Sequence, residues 1–377
     1  MHLTRLTLKH FRNHHDTSFD FGEGINVLLG DNGQGKTNVI EAISYLCLTK
    51  SFYAASDALV LSFGEPMFEL EGTIQTDGGI ARAVRVAYAR ETGEKVFAVN
   101  RSRVETFSSV IGMFPVVICS PEHTPITAGS PADRRKFIDL VISQSSAVYF
   151  KDLVEYRRVL RHRNTILAGA RFEHGDTEAM LAPWDEQLVS LGASLTWRRK
   201  QFVEEFQSYI TDAYHHLVGR EEEPAIGYKP GTALGECRSA KDVEGLLRTE
   251  LSEKAASERK LGISMVGPHR DEVPLTINAL DLRKFASQGQ HKTFLVALKL
   301  GEFFYLKERC DETPIVLLDD VFSELDEHRS RRLLDYVGEI HQTFITSTAP
   351  QLFEHLARSP RNKSFRIKDG AIDGADA

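Results

Sequence analysis

The chain has 377 residues, 42% of them hydrophobic and 26% charged. This length exceeds one usual hydrophobic core, so two domains, or one domain with a large insertion, are expected of an otherwise ordinary globular composition. The formal net charge of −7 excludes a general basic field, so nucleic-acid binding would require a local cluster of Lys and Arg.

Targeting and redox signals are weak. No stretch approaches the roughly 20 apolar residues of a membrane helix, and the N-terminus has no signal-peptide core. The cysteines, Cys47, Cys119, Cys237 and Cys310, form no Cys-x-x-Cys pair, so a zinc site and a disulfide framework are not expected. These patterns predict a cytoplasmic protein with buried, reduced thiols and no membrane partner.

The N-terminal part is predicted to contain two strands, "LTRLTLKHF" and "INVLLG". The glycine-rich "GDNGQGKTN" follows, and "KTNVIEAISYLCL" then has apolar residues at helical spacing. The segments "MFELEGTIQT", "ARAVRVAYA" and "KVFAVN" alternate apolar and polar residues between glycine turns, which predicts an antiparallel sheet.

The centre of the chain, from Pro131 to about Glu258, is predicted to be mainly helical. "PADRRKFIDLVIS" places proline in the first turn, after Ser130 as a potential N-cap. Long helices are predicted for "VYFKDLVEYRRVLRHRNTIL" and "LTWRRKQFVEEFQSYITDAYHHL", and a loop for "EEEPAIGYKPGTALGE".

Strand patterns return after "ISMVGPHRDEVPLTI", followed by a helix in "HKTFLVALKLGEFFYLKERC" and a buried strand in "PIVLLDD". The last residues, "DGAIDGADA", resemble a disordered tail. We therefore expect one α/β domain built from both ends of the chain around a helical insertion. The predicted boundaries are 1–125 for the N-terminal lobe, 126–260 for the helical arm domain and 261–377 for the C-terminal lobe.

The glycine-rich run satisfies the pattern G-x-x-x-x-G-K-[ST] with Gly30, Gly35, Lys36 and Thr37. In such loops backbone N–H groups surround phosphate oxygens, the lysine reaches the β- and γ-phosphates, and the hydroxyl binds Mg²⁺. The alternative, a glycine turn with a surface lysine, is disfavoured because the run joins a predicted strand to a predicted helix.

A pair of acids follows the strand "PIVLLDD". Asp319 can hold Mg²⁺ through water, and Asp320 can orient or deprotonate an attacking water; the alternative is a solvated pair at a strand end. Asp319 follows Lys36 by 283 positions, much farther than in a simple nucleoside kinase or small GTPase.

A third motif is "FASQGQHKTFLVAL", in which Ser287, Gly289 and Gln290 stand at the start of a predicted helix. A serine N-cap and free N–H groups form an anion site, which is useful if it closes on the nucleotide of a partner subunit. A capped helix with nothing bound is the alternative. "SELD", Ser323 to Asp326, is predicted as a tight turn facing the same interface.

The order of these motifs is that of ABC-type ATPases, and their details resemble the bacterial RecF recombination-mediator family over essentially the whole chain. RecF proteins are similar to SMC and Rad50 heads without the long coiled coil. The segments that carry the resemblance are "FRNH", "GDNGQGKTNVIEAI", "GSPADRRKFID", "GPHRDE", "SQGQHKT" and "LLDDVFSELD".

The resemblance implies an α/β ABC-type P-loop ATPase head with an inserted, mainly helical arm domain. It implies a homodimer that sandwiches two ATP molecules, binds gapped or duplex DNA, and loads the RecA recombinase with RecO and RecR. The implied processes are recombinational repair of DNA damage, replication restart and the SOS response.

The resemblance also assigns site residues. Lys36 and Asp320 would be catalytic, and Thr37 and Asp319 would hold Mg²⁺. Arg12 and Asn13 would lie against the nucleotide, with an exposed arginine turn as the alternative. Ser287, Gly289 and Gln290 would contact the γ-phosphate of the partner. The phosphate loop would comprise Gly30, Asp31, Asn32, Gly33, Gln34, Gly35, Lys36, Thr37 and Asn38.

Three positions depart from the wider ABC pattern. Asp320 stands where glutamate is usual, Thr348 replaces the switch histidine, and Glu122 is the nearest polar candidate for the lid-loop glutamine. Because threonine cannot act as a charged or basic group, these departures favour a slow ATPase that acts as a switch. The resemblance implies that DNA stimulates this ATPase.

Basic residues on the predicted central helices are candidates for contacts with duplex phosphates, although a solvated helix face is the alternative. Arg134 and Arg135 are instead expected to brace the root of the arm. The candidates are Lys151, Arg157, Arg158, Arg161, Arg163, Arg198, Arg199 and Lys200.

Two other functions remain open. The nucleotide-binding subunit of an ABC transporter would have a shorter insertion and a membrane partner. A small-molecule phosphotransferase would need a substrate lid near the lysine loop and would turn over ATP as a monomer.

Overall fold

The computed structural model describes residues 1–169, 177–338 and 340–376. The chain forms two compact units. The head unit comprises Met1–Thr124, Asp212–Glu222 and Ser287–Ala377, and the arm unit comprises Pro125–Thr211 and Glu223–Ala286. Two ranges differ from the predicted boundaries. Residues 261–286 pack within the arm unit instead of the C-terminal lobe, and Asp212–Glu222 packs within the head unit.

The strands are β1 His2–Phe11, β2 His14–Asp20, β3 Ile25–Leu29, β4 Met67–Gln75, β5 Ala81–Ala89, β6 Lys95–Val99, β7 Ser102–Arg103, β8 Val116–Cys119, β9 Pro224–Ile226, β10 Leu275–Ile277, β11 Leu280–Asp281, β12 Ile315–Leu318, β13 Thr343–Ser347, β14 Lys363–Lys368 and β15 Ala371–Asp376. The α-helices are α1 Lys36–Leu48, α2 Pro125–Ala128, α3 Pro131–Ser145, α4 Ala147–Gly169, α5 Thr177–Val218, α6 Ala240–Leu261, α7 Leu282–Phe285, α8 Gln288–Arg309 and α9 Glu327–Gly338.

The head unit contains two six-stranded sheets. The first has the order β2-β1-β4-β5-β6-β7 and is antiparallel throughout. The alternating sequences of β4, β5 and β6 had predicted this antiparallel pairing. Its inner face is apolar and includes Leu6, Leu8, Phe68 and Val86, all fully buried. The alternation of the sequence therefore corresponds to one buried and one solvated face.

The second sheet has the order β15-β14-β3-β13-β12-β8, and all its pairs are parallel except β14 with β15. Strands β8, β12 and β13 are buried along their whole length, and this burial explains the continuous apolar sequences of β8 and β12. Because the carboxyl ends of parallel strands share one edge, the segments after β3, β8, β12 and β13 meet at that edge.

Two sequence predictions about loops and tails are wrong. "DGAIDGADA" contains β15, which pairs with β14 through Phe365 and Ala375. The loop "EEEPAIGYKPGTALGE" contains β9, which pairs with β10 through Ile226 and Leu275. Each strand forms by pairing with another strand, and neither sequence has enough apolar residues to predict a strand by its own pattern.

The predicted helices are present, and α5 begins well before its predicted start. Ser130 caps α3 in a capping box with Asp133, whose carboxylate accepts the backbone N–H of Ser130 at 2.8 Å. Cys47 and Cys119 are buried as predicted, whereas Cys237 and Cys310 are half-buried, and all four are free. Among the described residues, no helix combines the length and apolar character needed to cross a membrane.

Candidate nucleotide-binding site

The loop between β3 and α1 requires glycine at two close approaches. Gly30 has φ of 154°, and a Cβ there would lie 2.4 Å from the carbonyl oxygen of Ile367. Gly35 has φ of 108°, and a Cβ would lie 2.6 Å from Asn13 Oδ1. Both positions have a backbone conformation that favours glycine; the close neighbour is main chain at Gly30 and a hydrogen-bonded side chain at Gly35.

Lys36 lies inside this loop. Its Nζ donates hydrogen bonds of 2.7 Å to the carbonyl oxygens of Gly30 and Asp31. Burial lowers the pKa of Lys36, and the negative charges of Asp320, Asp319 and Asp31 oppose that shift. The ammonium is therefore held among carbonyl and carboxylate oxygens at the edge of the parallel sheet.

Residues 31–33 are exposed at the tip of the loop, whereas Gln34, Thr37 and Asn38 are half-buried. The tip therefore presents its backbone to solvent while its two flanks are anchored. This arrangement leaves the backbone N–H groups accessible to a phosphate.

The structure brings Thr37 and Asp319 together, as the motifs predict. Thr37 Oγ1 donates a hydrogen bond of 2.9 Å to Asp319 Oδ1, and the same oxygen accepts one of 2.8 Å from Thr346 Oγ1. Burial raises the pKa of Asp319, and the two hydroxyls partly offset that rise. A hydroxyl beside a carboxylate is the oxygen donor set that Mg²⁺ prefers.

Asp320 is exposed at the same edge and has φ of 53°, in the left-handed region that non-glycine residues rarely occupy. Its backbone N–H donates to Thr346 Oγ1 at 2.8 Å, and Ser323 Oγ donates to its carbonyl at 2.9 Å. These bonds stabilise the strained backbone of Asp320. The side chain of Asp319 is buried, whereas that of Asp320 is exposed. Thr346 was not among the predicted residues, although it lies two positions before Thr348.

The turn between β1 and β2 reaches the loop through Asn13. Asn13 Nδ2 donates to the Gln34 carbonyl at 3.1 Å, and Asn13 Oδ1 accepts from Asn38 Nδ2 at 2.7 Å. Arg12 instead forms two hydrogen bonds of 2.8 Å with the buried Glu41 carboxylate of α1. The structure thus joins Asn13 to the loop and joins Arg12 to the helix behind it.

A turn at the other end of the chain also braces the loop. The backbone N–H groups of Asp369 and Gly370 donate to the side-chain and main-chain oxygens of Gln34, at 2.6 and 3.0 Å. A Cβ at Gly370 would lie 2.0 Å from the Asn13 carbonyl oxygen, and φ there is 73°. The buried ring of His14 supports the loop as well, with Nε2 donating to the Gly35 carbonyl at 3.1 Å. The sequence signal for this turn is the pair Asp369-Gly370 between two short alternating segments.

The predicted trans motif caps α8. Ser287 Oγ accepts from the Gln290 N–H at 3.2 Å, and Gln290 Oε1 accepts from the Ser287 N–H at 2.9 Å. Gln290 Nε2 also donates to Glu222 at 2.8 Å, and a Cβ at Gly289 would lie 3.2 Å from Arg329 Nη1. None of these partners belongs to the Gly30–Asn38 loop. The Gln290 side chain is thus occupied within its own chain, whereas Ser287 is exposed.

Thr348 and Glu122, at the switch and lid positions, are both exposed. Thr348 directly follows β13, and Glu122 lies in a single 3₁₀ turn after β8. Their strands therefore deliver both residues to the edge where Lys36 and Asp319 lie.

The prediction of DNA contact is wrong for Arg163 and Arg199, because both side chains are buried within the arm unit. The Arg163 guanidinium is 2% exposed and pairs with Asp185 and Glu258, both at 2.6 Å. Arg199 pairs with Asp139 and Asp271, both at 2.9 Å.

The other basic residues of the arm unit divide between bracing and exposed positions. Arg134 donates to Glu272 at 2.7 Å and Arg135 to the Asp271 carbonyl at 2.6 Å, as expected of bracing residues. Arg198 is half-buried and donates to Ser146, and Lys200 is half-buried and pairs with Glu204. The exposed candidates are Lys151, Arg157, Arg158 and Arg161.

The head unit has a mostly parallel sheet with a lysine loop and an acid pair at one edge. The capped helix α8 and a helical insertion complete the arrangement. These features define an α/β head of the ABC type. Residues 2–368 match the family described as the RecF/RecN/SMC N terminal domain. The chain belongs to the RecF family of DNA replication and repair proteins.

Individual relatives agree with this assignment. The DNA replication and repair protein RecF of Chloroherpeton thalassium is 43% identical over 362 residues, which cover 94% of this chain and 97% of the relative. The protein of the same name from Salinibacter ruber is 39% identical over 375 residues, covering 98% and 91%.

Solved structures give the same result. A structure of the recombination mediator protein RecF with ATP matches with a TM-score of 0.89 and 31% identity, over 98% of this chain and 96% of that chain. An Smc head domain from Pyrococcus furiosus, bound to the C-terminal domain of ScpA, matches with a TM-score of 0.57 and 15% identity, over 99% and 96%. The second likeness concerns the fold alone.

Proposed function

We propose that the protein is a cytoplasmic, ATP-dependent DNA clamp of recombinational repair and replication restart. It binds ATP and Mg²⁺, dimerises, holds gapped or duplex DNA, and helps load the RecA recombinase together with RecO and RecR. The observation that carries this proposal is the Thr37–Asp319 hydrogen bond, which unites the lysine loop and the acid pair in one site. The similarity to a recombination mediator of the RecFOR pathway, solved with ATP, supports the partners.

The nucleotide site divides its tasks among named groups. The backbone of Gly30–Asn38 cradles the phosphates, Lys36 neutralises them, and Asn13 holds the loop through Gln34 and Asn38. Thr37 Oγ1 and Asp319 would hold Mg²⁺, which would neutralise phosphate charge. Arg12 supports the site from behind through Glu41.

Asp320 is the proposed general base. Its exposed carboxylate can accept a proton from water, and the Thr346 hydroxyl fixes the backbone that orients it. Because aspartate is one methylene shorter than the usual glutamate, we infer slow hydrolysis. From the RecF family membership we also propose that DNA stimulates it.

The dimer interface is proposed to include Ser287 and Gly289. The exposed serine and the first N–H groups of α8 form an anion site that is complete only when a second subunit brings its γ-phosphate. Gln290 contributes by fixing the cap through its two hydrogen bonds with Ser287.

The DNA surface is proposed on the exposed side of α4. Lys151, Arg158 and Arg161 recur at helical spacing along one face, with Arg157 beside them. Such a stripe suits contacts with backbone phosphates and carries no base-specific information.

Analytical ultracentrifugation of the full chain, with and without ATP-Mg²⁺ and a gapped duplex, tests the proposal. Wild type should dimerise with ATP and retain DNA. Lys36→Ala and Ser287→Arg should stay monomeric, and Asp320→Asn should form a dimer that persists. Ser239→Arg is the matched control, because Ser239 is another serine N-cap, in the arm unit. A wild type that stays monomeric with ATP and DNA, or a Ser287→Arg variant that dimerises normally, would refute the clamp.

A further inference from the structure

His10, His15 and Glu65 form a cluster beside the turn that carries Arg12 and Asn13. Their ligand atoms all lie within 4.8 Å of one another. We propose that these three side chains bind a zinc ion, with water in the remaining coordination position. The proposal is independent of the proposed clamp function.

The spacing suits the metal. Tetrahedral zinc has His and carboxylate ligands at 2.0–2.2 Å, so two such donor atoms lie roughly 3.4 Å apart. His10 Nδ1 and Glu65 Oε1 are separated by 3.5 Å. Two imidazoles and one carboxylate also form a donor set that is common for zinc with an open position.

The ring of His10 has an unmet bonding requirement. Its Nδ1 is buried and has no hydrogen-bond partner among the described residues, although it faces the Glu65 carboxylate. Buried polar atoms of folded proteins are almost always bonded, so this nitrogen is available as a ligand atom. His15 is exposed and its ring meets that of His10 edge to face, which leaves the cluster open to an ion from solvent.

The backbone fixes the three ligands before any ion arrives. The β1–β2 register pairs Lys9 with Asp16 and Phe11 with His14, so His10 and His15 lie across from each other between those pairs. His10 adopts φ of 52°, which breaks the regular alternation of β1 and turns its side chain away from the core.

The segment that carries Glu65 is tied to the same turn. Ser62 N–H donates to the His10 carbonyl at 2.9 Å, Arg12 N–H donates to the Val60 carbonyl at 2.7 Å, and Glu65 N–H donates to the Ser62 carbonyl at 3.2 Å. Little chain entropy would therefore be lost on binding.

The lack of a Cys-x-x-Cys pair disfavours only a zinc site with thiolate ligands, and this cluster contains none. The sequence signal is weak, because "HFRNHH" offers three imidazoles, of which His14 is buried, and the carboxylate comes from a separate loop. Only the tertiary structure unites them.

The test uses the untagged full chain, stripped of metal by a chelator and titrated with Zn²⁺ by calorimetry. One ion per chain is expected. Co²⁺ should give the visible absorption of a four-coordinate site, and Zn²⁺ should raise the Tm. His10→Gln, His15→Gln and Glu65→Gln should each weaken zinc binding at least about tenfold. His328→Gln and Glu71→Gln, an exposed histidine and an exposed glutamate elsewhere, should bind zinc as wild type does.

Absence of stoichiometric binding would overturn the proposal, as would wild-type affinity in the His15→Gln variant. His15→Gln decides the matter if the other variants fold poorly, because its side chain is exposed and its loss leaves the core unchanged. Circular dichroism verifies that each variant is folded before titration.

Discussion

Thr37 Oγ1 and Asp319 Oδ1 are joined by a hydrogen bond of 2.9 Å across 282 positions of sequence. The bond links the first residues of α1 to the residue after β12, so the two proposed Mg²⁺ donors come from distant parts of the chain. Two consequences can be measured, one for the hydroxyl and one for the carboxylate.

Thr37→Val should reduce ATP affinity about 10- to 100-fold in the presence of Mg²⁺, because the variant lacks the hydroxyl proposed to hold the metal. The loss should be smaller without Mg²⁺. Titration with a fluorescent ATP analogue measures both. Thr343→Val is the matched control, since the Thr343 hydroxyl is buried with no partner among the described residues. Equal loss with and without Mg²⁺ would contradict the metal role of Thr37.

Asp319→Asn should stabilise the nucleotide-free protein at neutral pH while weakening ATP-Mg²⁺ binding. The folded-state pKa of Asp319 is raised, chiefly by burial, so the folded protein holds this proton more tightly than the unfolded chain. Wild-type stability is therefore lost as pH rises from the unfolded pKa of about 3.9 through the raised folded value. Denaturant unfolding at several pH values should show no advantage of Asn at the acidic end and an increasing advantage toward neutrality. A pH-independent difference would argue against this titration.

Gly370→Ala should destabilise the head unit by about 1–3 kcal/mol, because the new methyl group would meet the Asn13 carbonyl at 2.0 Å in a strained backbone. ATP affinity should fall as well, since the shifted turn loses its hydrogen bonds to Gln34. Gly374→Ala, in the same hairpin but facing open space, should change neither quantity. Thermal unfolding and nucleotide titration of both variants provide the comparison, and equal behaviour would rule out the brace.

Arg163→Ala should lower stability and Arg161→Ala should weaken DNA binding, although the two residues are only two positions apart. Loss of Arg163 leaves Glu258 buried without its partner and should destabilise the arm unit by about 3–5 kcal/mol. Loss of the exposed Arg161 should leave stability unchanged and weaken binding to duplex DNA. Denaturant unfolding and DNA anisotropy distinguish them. A stable Arg163→Ala variant that loses DNA would restore Arg163 to the DNA surface.

The fold and the centre of the site were predictable because their signals are local. The apolar strands β3 and β12 and the loop after Leu29 follow from short patterns, and the shared edge of parallel strands then brings Lys36 to Asp319. The sequence positions of Lys36 and Asp319 relative to their strands were therefore enough to predict that they lie close together.

The bracing contacts were not predictable, since Gln34 meets Gly370 only through tertiary structure. For the buried arginines a signal did exist. Arg163 lies on the stripe of Tyr156, Val159 and Leu167, all buried, so helical phase distinguishes it from Arg161. Charge content indicates a basic helix but does not by itself say which arginines reach solvent.

The hydrogen bonds between Gln34 and the Asp369-Gly370 turn have a consequence for synthesis. The loop leaves the ribosome early, but the residues that brace it are added 335 positions later. At roughly 5–20 residues per second this interval is about 20–70 s. During that time a nascent chain carries the glycine loop without its support, so competence to capture nucleotide should arise only after Asp369 and Gly370 have been synthesised and have folded onto Gln34.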